Sequence, residues 1–538
     1  MSDYDYIIVG AGSAGCVLAD RLTASGRHRV LLLEAGGSDR RLWVQMPIGY
    51  GKAFYDRRVN WMYLTEPDPG LGGRKSYWPR GKVLGGSSSI NAMVYVRGQA
   101  TDFDHWAAEG NPGWDWASVL PYFRKSERCA LGGNDHRGAD GPLHVEDVST
   151  QVHPLCDVYL EAGQQAGLPF TEDFNGASPE GVGLYQITTR DGVRMSTARA
   201  YLRPALKRSN LRLLTRAHAT RLIFEGRRAV GVEYVHKGQQ HVARAGGEII
   251  LAGGSINSPQ LLQLSGVGPA EVLTPLGIDV RLHSPAVGRN LQDHLGMDYT
   301  YRSRVPTLNQ ELGPLLGKAR VGLKYLLSRR GPLSLSINQG GGFMRSRPGL
   351  EQPNLQLYFS PVSYLRAPPG KRPMMSPDPY PGFLMGFSPC RPTSRGHLQI
   401  RSSDPHAPPL IHPCYLDTEH DIEDMLDGVR FIRTLASTPA FSSVIEAEVQ
   451  PGPEVQSRDA LLADIRARGW TVFHPVSTCR MGPNAEHAVV DHRLKVHGLD
   501  GLRVIDASVF PAVTSGNTNA PTIMVAEKGA DLVLEDAL

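Results

Sequence analysis

Apolar and polar positions along the chain predict several strand–helix units and a second region richer in sheet. Residues 5–9 (DYIIV) form an apolar run of strand length, and a helical stretch, CVLADRLTAS, follows. RVLLLEAGG predicts a second buried strand that ends at Glu34. EIILAGG predicts another, feeding a helix that starts near Ser258-Pro259, because proline suits a first helical turn. In GLRVIDASVFPAVTSGNTNAPTIMVAEKGADLVLE a strand ends at Asp506, a turn-rich stretch follows, and a helix begins near Pro521. PNLQLYFSP and GHLQIRSSDP predict strands with one exposed face, and DIEDMLDGVRFIRTLAST predicts an amphipathic helix. RVGLKYLLSRRG (320–331) sets basic residues beside leucines and reads as a surface helix with a solvated face, or as a contact with a membrane surface or a partner. The segment 364–386, rich in proline, methionine and aromatics, reads as a lid or as a disordered excursion.

Length and composition narrow the class. A chain of 538 residues exceeds what one hydrophobic core fills, so two or more domains are expected. Hydrophobic residues at 41% and charged residues at 20% suit a soluble globular enzyme. A net charge of only +4 argues against nucleic-acid binding by phosphate neutralisation. No apolar run is long enough to span a bilayer, and no basic region precedes the first apolar run, so no secretory signal is expected. Cys16, Cys129, Cys156, Cys390, Cys414 and Cys479 lie far apart without a CxxC pair. Neither a disulfide framework nor a zinc site is expected, and a reducing compartment fits.

The first candidate chemistry lies between the first strand and its helix. Gly10-Ala11-Gly12-Ser13-Ala14-Gly15 is a GxGxxG in the context that gives it meaning. Gly10 permits the tight turn, Gly12 lets the backbone approach a pyrophosphate, and Gly15 lets the helix pack on the strand. The helix N-terminus offers free N–H groups to phosphates. Glu34 can accept hydrogen bonds from a ribose diol and would repel the 2′-phosphate of NADP. This motif alone does not separate FAD from NAD. A second run, RGKVLGGSSSINAMVYVRG (80–98), is rich in glycine and small hydroxyl residues, as suits close backbone approach to a planar or anionic ligand.

With GKVLGGSSSINAM, GGSINSPQLLQLSGVG, VGRNLQDHL, HPVSTCRMG and LRVIDAS…GNTNAPTIM added to GAGSAG, the chain resembles the glucose–methanol–choline (GMC) oxidoreductases from residue 4 to about 533. The resemblance implies an α/β fold: a doubly wound, Rossmann-like FAD domain plus a substrate domain built on an antiparallel sheet with flanking helices. Residues 1–155, 205–300 and 465–538 are assigned to the first, and 156–204 and 301–464 to the second. FAD is expected against Gly10, Gly12, Ser13, Ala14 and Gly15, and against Glu34 and Ala35. The first signature adds Val83, Gly85, Gly86, Ser87, Asn91, Ala92, Met93 and Val94. Trp61, Ala219, Ala252, Gly253, Asp506, Ala507, Thr518 and Asn519 complete the expected contacts.

The resemblance also implies that His474, in HPVSTCRMG, faces the flavin, with Asn517 opposite. Alcohol oxidation removes a hydroxyl proton and a hydride. Neutral imidazole takes a proton near pH 7, and an amide can donate to a developing alkoxide. Zinc ligation by His474 and Cys479 lacks further ligands at suitable spacing, so Cys479 reads as a buried apolar residue and Arg480 as a loop anchor. Some family members attach FAD to a histidine where this chain has Ile90, so FAD is expected to be non-covalent. Gln339, in SINQGGGF, stands where choline-type members carry a glutamate, which weakens a choline reading. The closest likeness read from these motifs is to bacterial alcohol dehydrogenases of the alkane-degradation type, with choline dehydrogenases second. An aliphatic or aryl alcohol substrate is expected, with a quinone, a dye-like acceptor or O2 taking the electrons. Alcohol oxidase and hydroxynitrile lyase stay open, as do the oligomeric state and peripheral contact of a cytoplasmic enzyme with the inner membrane.

Overall fold

In the computed structural model, which describes residues 4–364 and 376–537, the apolar run Tyr4–Val9 is a central strand of a seven-stranded sheet. Its sheet order is Leu211–Thr215, Val30–Glu34, Tyr4–Val9, Gln239–Leu251, Arg228–His236 and Ala217–Glu225, with Leu502–Val504 also paired to Gln239–Leu251. Strand Gln239–Leu251 changes partner along its length. Its first half runs antiparallel to Arg228–His236, and its second half runs parallel to Tyr4–Val9 and Leu502–Val504. The parallel strands are nearly continuous apolar runs because they are covered on both faces. Helices Ser13–Thr23 and Asn519–Asp536 pack together beside this sheet, and Arg21 forks onto the buried Glu527 through Nε and Nη2, both at 2.7 Å.

The second sheet also has seven strands and is antiparallel throughout. Its order is Ile445–Gln450, Leu295–Ser303, Gly382–Pro389, Leu355–Ser360, Gly340–Met344 and Gly181–Leu184, with Trp470–Thr471 joined to Leu295–Ser303. The expected one-sided exposure of PNLQLYFSP is corrected: every residue of Leu355–Ser360 is buried. Helix Glu419–Ala436 packs on this sheet through Ile422, Met425, Leu426 and Val429. The expected lid segment divides. Residues 365–375 lie outside the described residues, whereas Gly382–Pro389 is a fully buried strand, because its apolar run fits a two-sided interior position. The expected boundary at 300/301 falls inside strand Leu295–Ser303.

Helix Gly254–Leu264 begins earlier than its proline suggests. Pro259 lies inside it and cannot donate to the carbonyl of Ser255. Thr478 Oγ1 takes that place at 2.6 Å, and Ser255 Oγ donates to the carbonyl of Pro475 at 2.6 Å. The missing helical bond becomes the clamp that fixes residues 475–478.

Candidate active site

A large cavity is walled by both sheets. Val9, Leu33 and Leu251 reach it from the first sheet, and Asp298, Tyr358 and Leu384 from the second. At one end the GxGxxG turn has φ +103° at Gly10, where a Cβ would sit 2.5 Å from the carbonyl oxygen of Ala252. A Cβ on Gly15 would lie 1.8 Å from the Gly10 oxygen, so glycine is what lets the helix return over the strand. A Cβ on Gly86 would lie 2.6 Å from Gly12 Cα, which shows how tightly the two glycine runs meet. At Gly12 the nearest atom to a Cβ would be 3.9 Å away, so that direction opens into the cavity.

Glu34 is buried and accepts from the N–H groups of Ala11 (2.9 Å) and Gly36 (2.7 Å). Burial pushes its carboxyl up to about 7, against the pull of those two donors. Asp506 caps helix Gly254–Leu264, accepting from Gly254 N at 2.8 Å and Ser258 Oγ at 2.6 Å. Ala35, Trp61, Ala219, Ala252, Gly253 and Ala507 line the same end as Glu34 and Asp506 or the walls beside it. Ser13, Ala14, Gly86, Ser87, Asn91, Ala92, Met93, Val94, Thr518 and Asn519 also line the cavity. Gly15, Val83 and Gly85 do not reach it: Gly15 packs against Gly10, Val83 belongs to an apolar cluster with Val44 and Ile90, and Gly85 forms a turn at φ +86°.

His474 and Asn517 meet inside the cavity wall. Residues 292–294 run beside 472–476, with Val476 N donating to Gln292 O at 2.9 Å and Val472 N to His294 O at 2.9 Å. This pairing sets His294 Nδ1 2.9 Å from His474 Nδ1. His294 Nε2 lies 2.9 Å from the carbonyl oxygen of Cys390, an acceptor, so it carries the proton. Its Nδ1 therefore accepts, and His474 must donate from Nδ1. The lone pair of His474 then lies on Nε2, where Asn517 Nδ2 donates to it at 3.2 Å. Asn517 Oδ1 accepts from Gln356 Nε2 at 3.3 Å, and Gln356 Oε1 accepts from Tyr358 at 2.8 Å. One tautomer of each histidine satisfies the whole chain of contacts.

The backbone under His474 is held by charge. Asp293 accepts from His474 N at 2.6 Å, from Thr471 Oγ1 at 2.5 Å and from the Tyr415 hydroxyl. Arg80 Nη2 donates to Phe473 O at 2.6 Å, and Phe473 takes φ +69°, unusual for a bulky residue. Burial first, then the neighbouring His294 ring and the Arg80 guanidinium, hold His474 well below the ordinary histidine range, so it is neutral near pH 7. Burial pushes Asp293 up to about 6. The cavity lining also includes the aromatic and apolar Phe54, Trp470, Phe473, Tyr358 and Ile337, and the carboxylate of Asp298. Cys479 is buried, its thiol pushed up by burial, and Arg480 pairs with Glu109 at 2.5 Å.

Two family models described as GMC oxidoreductase match residues 4–296 and 392–526. The chain belongs to the GMC oxidoreductases. Mouse choline dehydrogenase (Mus musculus, mitochondrial) is 48% identical over 99% of this chain and 89% of that protein. An alcohol dehydrogenase [acceptor] of Pseudomonas putida is 43% identical over 99% and 96%. The order of likeness read from the motifs is thus reversed. The crystal structure of pyridoxine 4-oxidase from Mesorbium loti superposes with a TM-score of 0.88 at 32% identity, covering 98% of both chains. As a GMC oxidoreductase the protein is an FAD-dependent oxidoreductase acting on CH–OH groups. The residues present fit that cofactor, because Gly12 opens its Cβ direction into the cavity where the helix Ser13–Thr23 begins. No helix among the described residues is long and apolar enough to cross a membrane.

Asp293 and His294, in the QDH of VGRNLQDHL, are functional residues that the motifs alone do not mark. A buried acid and a histidine side by side were the signal available there. Gln339 Oε1 accepts from His153 N at 2.7 Å away from the cavity, while its neighbour Asn338 lines it. Gln339 therefore does not bear on a choline-like substrate from the cavity wall, whereas the carboxylate of Asp298 lines it.

Proposed function

We propose that the protein oxidises a primary alcohol to the carbonyl, with His474 as the base and Asn517 as the donor to the substrate oxygen. The tautomer carries this reading: the lone pair on His474 Nε2 lies beside an amide N–H of Asn517. An alcohol hydroxyl that replaces this direct contact donates to Nε2 and accepts from Nδ2. As its proton moves to Nε2, the charge left on oxygen is met by Asn517 and by the new imidazolium. His474 Nδ1–H stays bonded to His294 through the transfer, so the ring keeps its orientation. Bound FAD supplies the acceptor for hydride leaving carbon.

Residues around the first sheet hold the cofactor in this reading, as the glycine approaches support, and the second sheet shapes the substrate end. The cofactor is held non-covalently, since Ile90 offers no nucleophile. The apolar wall of Phe54, Ile337 and Phe473 favours an aliphatic or aryl tail. A second reading is supported by Asp298 among aromatic rings, which suits a quaternary ammonium alcohol. Electrons leave to an acceptor other than NAD.

The test is an anaerobic visible titration of the purified enzyme with aliphatic, aryl and amino alcohols. Bleaching by aliphatic or aryl alcohols is expected. Preferred bleaching by choline, lost in Asp298→Asn while other alcohols still react, would move the second reading ahead. Bleaching by no alcohol would overturn both.

A further inference from the structure

We propose that helix Leu315–Ser328 is a docking surface for an anionic lipid bilayer. Ordinary surface helices bury their apolar stripe, as Glu419–Ala436 does. This helix is inverted: among its apolar side chains it buries only Val321 and Tyr325. Leu315, Leu316 and Leu327 are 84%, 86% and 79% exposed, and Leu323 and Leu326 are exposed with them. At about 100° per residue, the five leucines fall within an arc of about 120°. They are five of the fourteen exposed large hydrophobics among the described residues, gathered on one helix. Such a face costs solubility unless something apolar covers it.

The charge around the face selects the occupant. Lys318, Arg320 and Lys324 flank the leucines, and Arg329 and Arg330 follow at the C-terminal end. From residue 312 to 350 the chain has no Asp or Glu. Among the described residues no carboxylate forms an ion pair with any of these five cations. These five positive charges, gathered at one site, exceed the whole chain's net charge of +4. A second copy would bring the same cations face to face, so the surface does not suit self-association. Anionic headgroups with acyl chains beneath complement both parts, with leucines entering the interface and cations at headgroup level.

Docking there would bring the bilayer close to the substrate end. Helix Leu308–Leu312 packs against this helix, and Leu308 and Leu312 share an apolar cluster with Tyr50, Phe54 and Ile337, which line the cavity. A substrate or acceptor dissolved in lipid would then travel a short path.

The test is flotation of the holoenzyme with vesicles of phosphatidylglycerol and phosphatidylcholine, against vesicles of phosphatidylcholine alone. Binding to the anionic vesicles is expected to be at least about tenfold stronger and to weaken in high salt, at about fivefold per contacting cation. The triple variants L316Q/L323Q/L327Q and K318E/R320E/K324E should each lose at least about tenfold of that binding. Unchanged flavin absorbance and unchanged turnover of a water-soluble alcohol would show that both are folded. No binding by the natural chain, equal binding to neutral vesicles, or unaltered binding by folded variants would overturn the proposal. So would a dimer that the leucine variant disperses, which would assign the face to a second copy.

Discussion

Replacing His294 by alanine should slow substrate oxidation without removing any group from the reacting atoms. His474 would keep its position, since Asp293 still accepts from its backbone N–H at 2.6 Å. Its Nδ1–H would lose the acceptor now 2.9 Å away and would be left unpaired in a buried site. An unsatisfied buried donor costs about 1–3 kcal/mol. The ring escapes that cost by moving its proton to Nε2, the atom that must accept from the alcohol. The productive tautomer is then disfavoured by a similar amount, or about 5-fold to about 150-fold in rate. His294→Gln provides the control, because a glutamine amide can accept from His474 Nδ1 and donate to the Cys390 carbonyl. Anaerobic stopped-flow flavin reduction by a primary alcohol measures the effect directly. Flavin content and melting temperature report folding. The expected order is wild type, then His294→Gln near it, then His294→Ala. Equal rates in alanine and wild-type proteins would refute the tautomer argument, and equal losses in alanine and glutamine variants would reduce His294 to a packing residue.

His474→Ala should keep FAD and lose about 10² to about 10⁴ in reduction rate, the scale of general-base catalysis; near-normal turnover would end that role. The reduction rate should fall as pH drops through about 6, where Asp293 takes a proton and its carboxylate no longer meets all three donors. His474, held well below its ordinary range by burial first, should not set that limb, so an acid limb that persists in Asp293→Asn would contradict this. Gly86→Ala should lower flavin occupancy at least about tenfold, because its Cβ would sit 2.6 Å from Gly12 Cα at a φ of +52°; absorbance of the purified variant decides. Acid precipitation should leave FAD in the supernatant, and a yellow pellet would show a covalent link that Ile90 cannot make.

The parallel core strands could be read from the chain because each is a short, almost uninterrupted apolar run beside a glycine turn. His474 and Asn517 were visible through the motifs around them. The contact between His294 and His474 was not, because residues 292–294 and 472–476 meet only when the chain folds across 180 positions. That Asn338 and not Gln339 lines the cavity was hidden for a different reason. Adjacent residues near a strand point to opposite sides, and nothing in SINQGGGF says which side is the cavity. The helix at 320–331 was expected, but its outward leucines were not, since periodicity gives an apolar face without saying where it turns. The strand Gly382–Pro389, which begins at the end of the expected lid, was hidden by the prolines before it.

The seam between Ser255 and Thr478 has a consequence for how the protein is made. The cavity walls draw on Gly10, Gly86, Ala252, His474 and Asn519, so the pocket is unfinished until nearly the last of these has left the ribosome. Thr478 must then find a carbonyl synthesised more than two hundred positions earlier, one that Pro259 has kept free of its own helix. A truncated nascent chain would therefore carry the glycine turn without the means to close over what it binds.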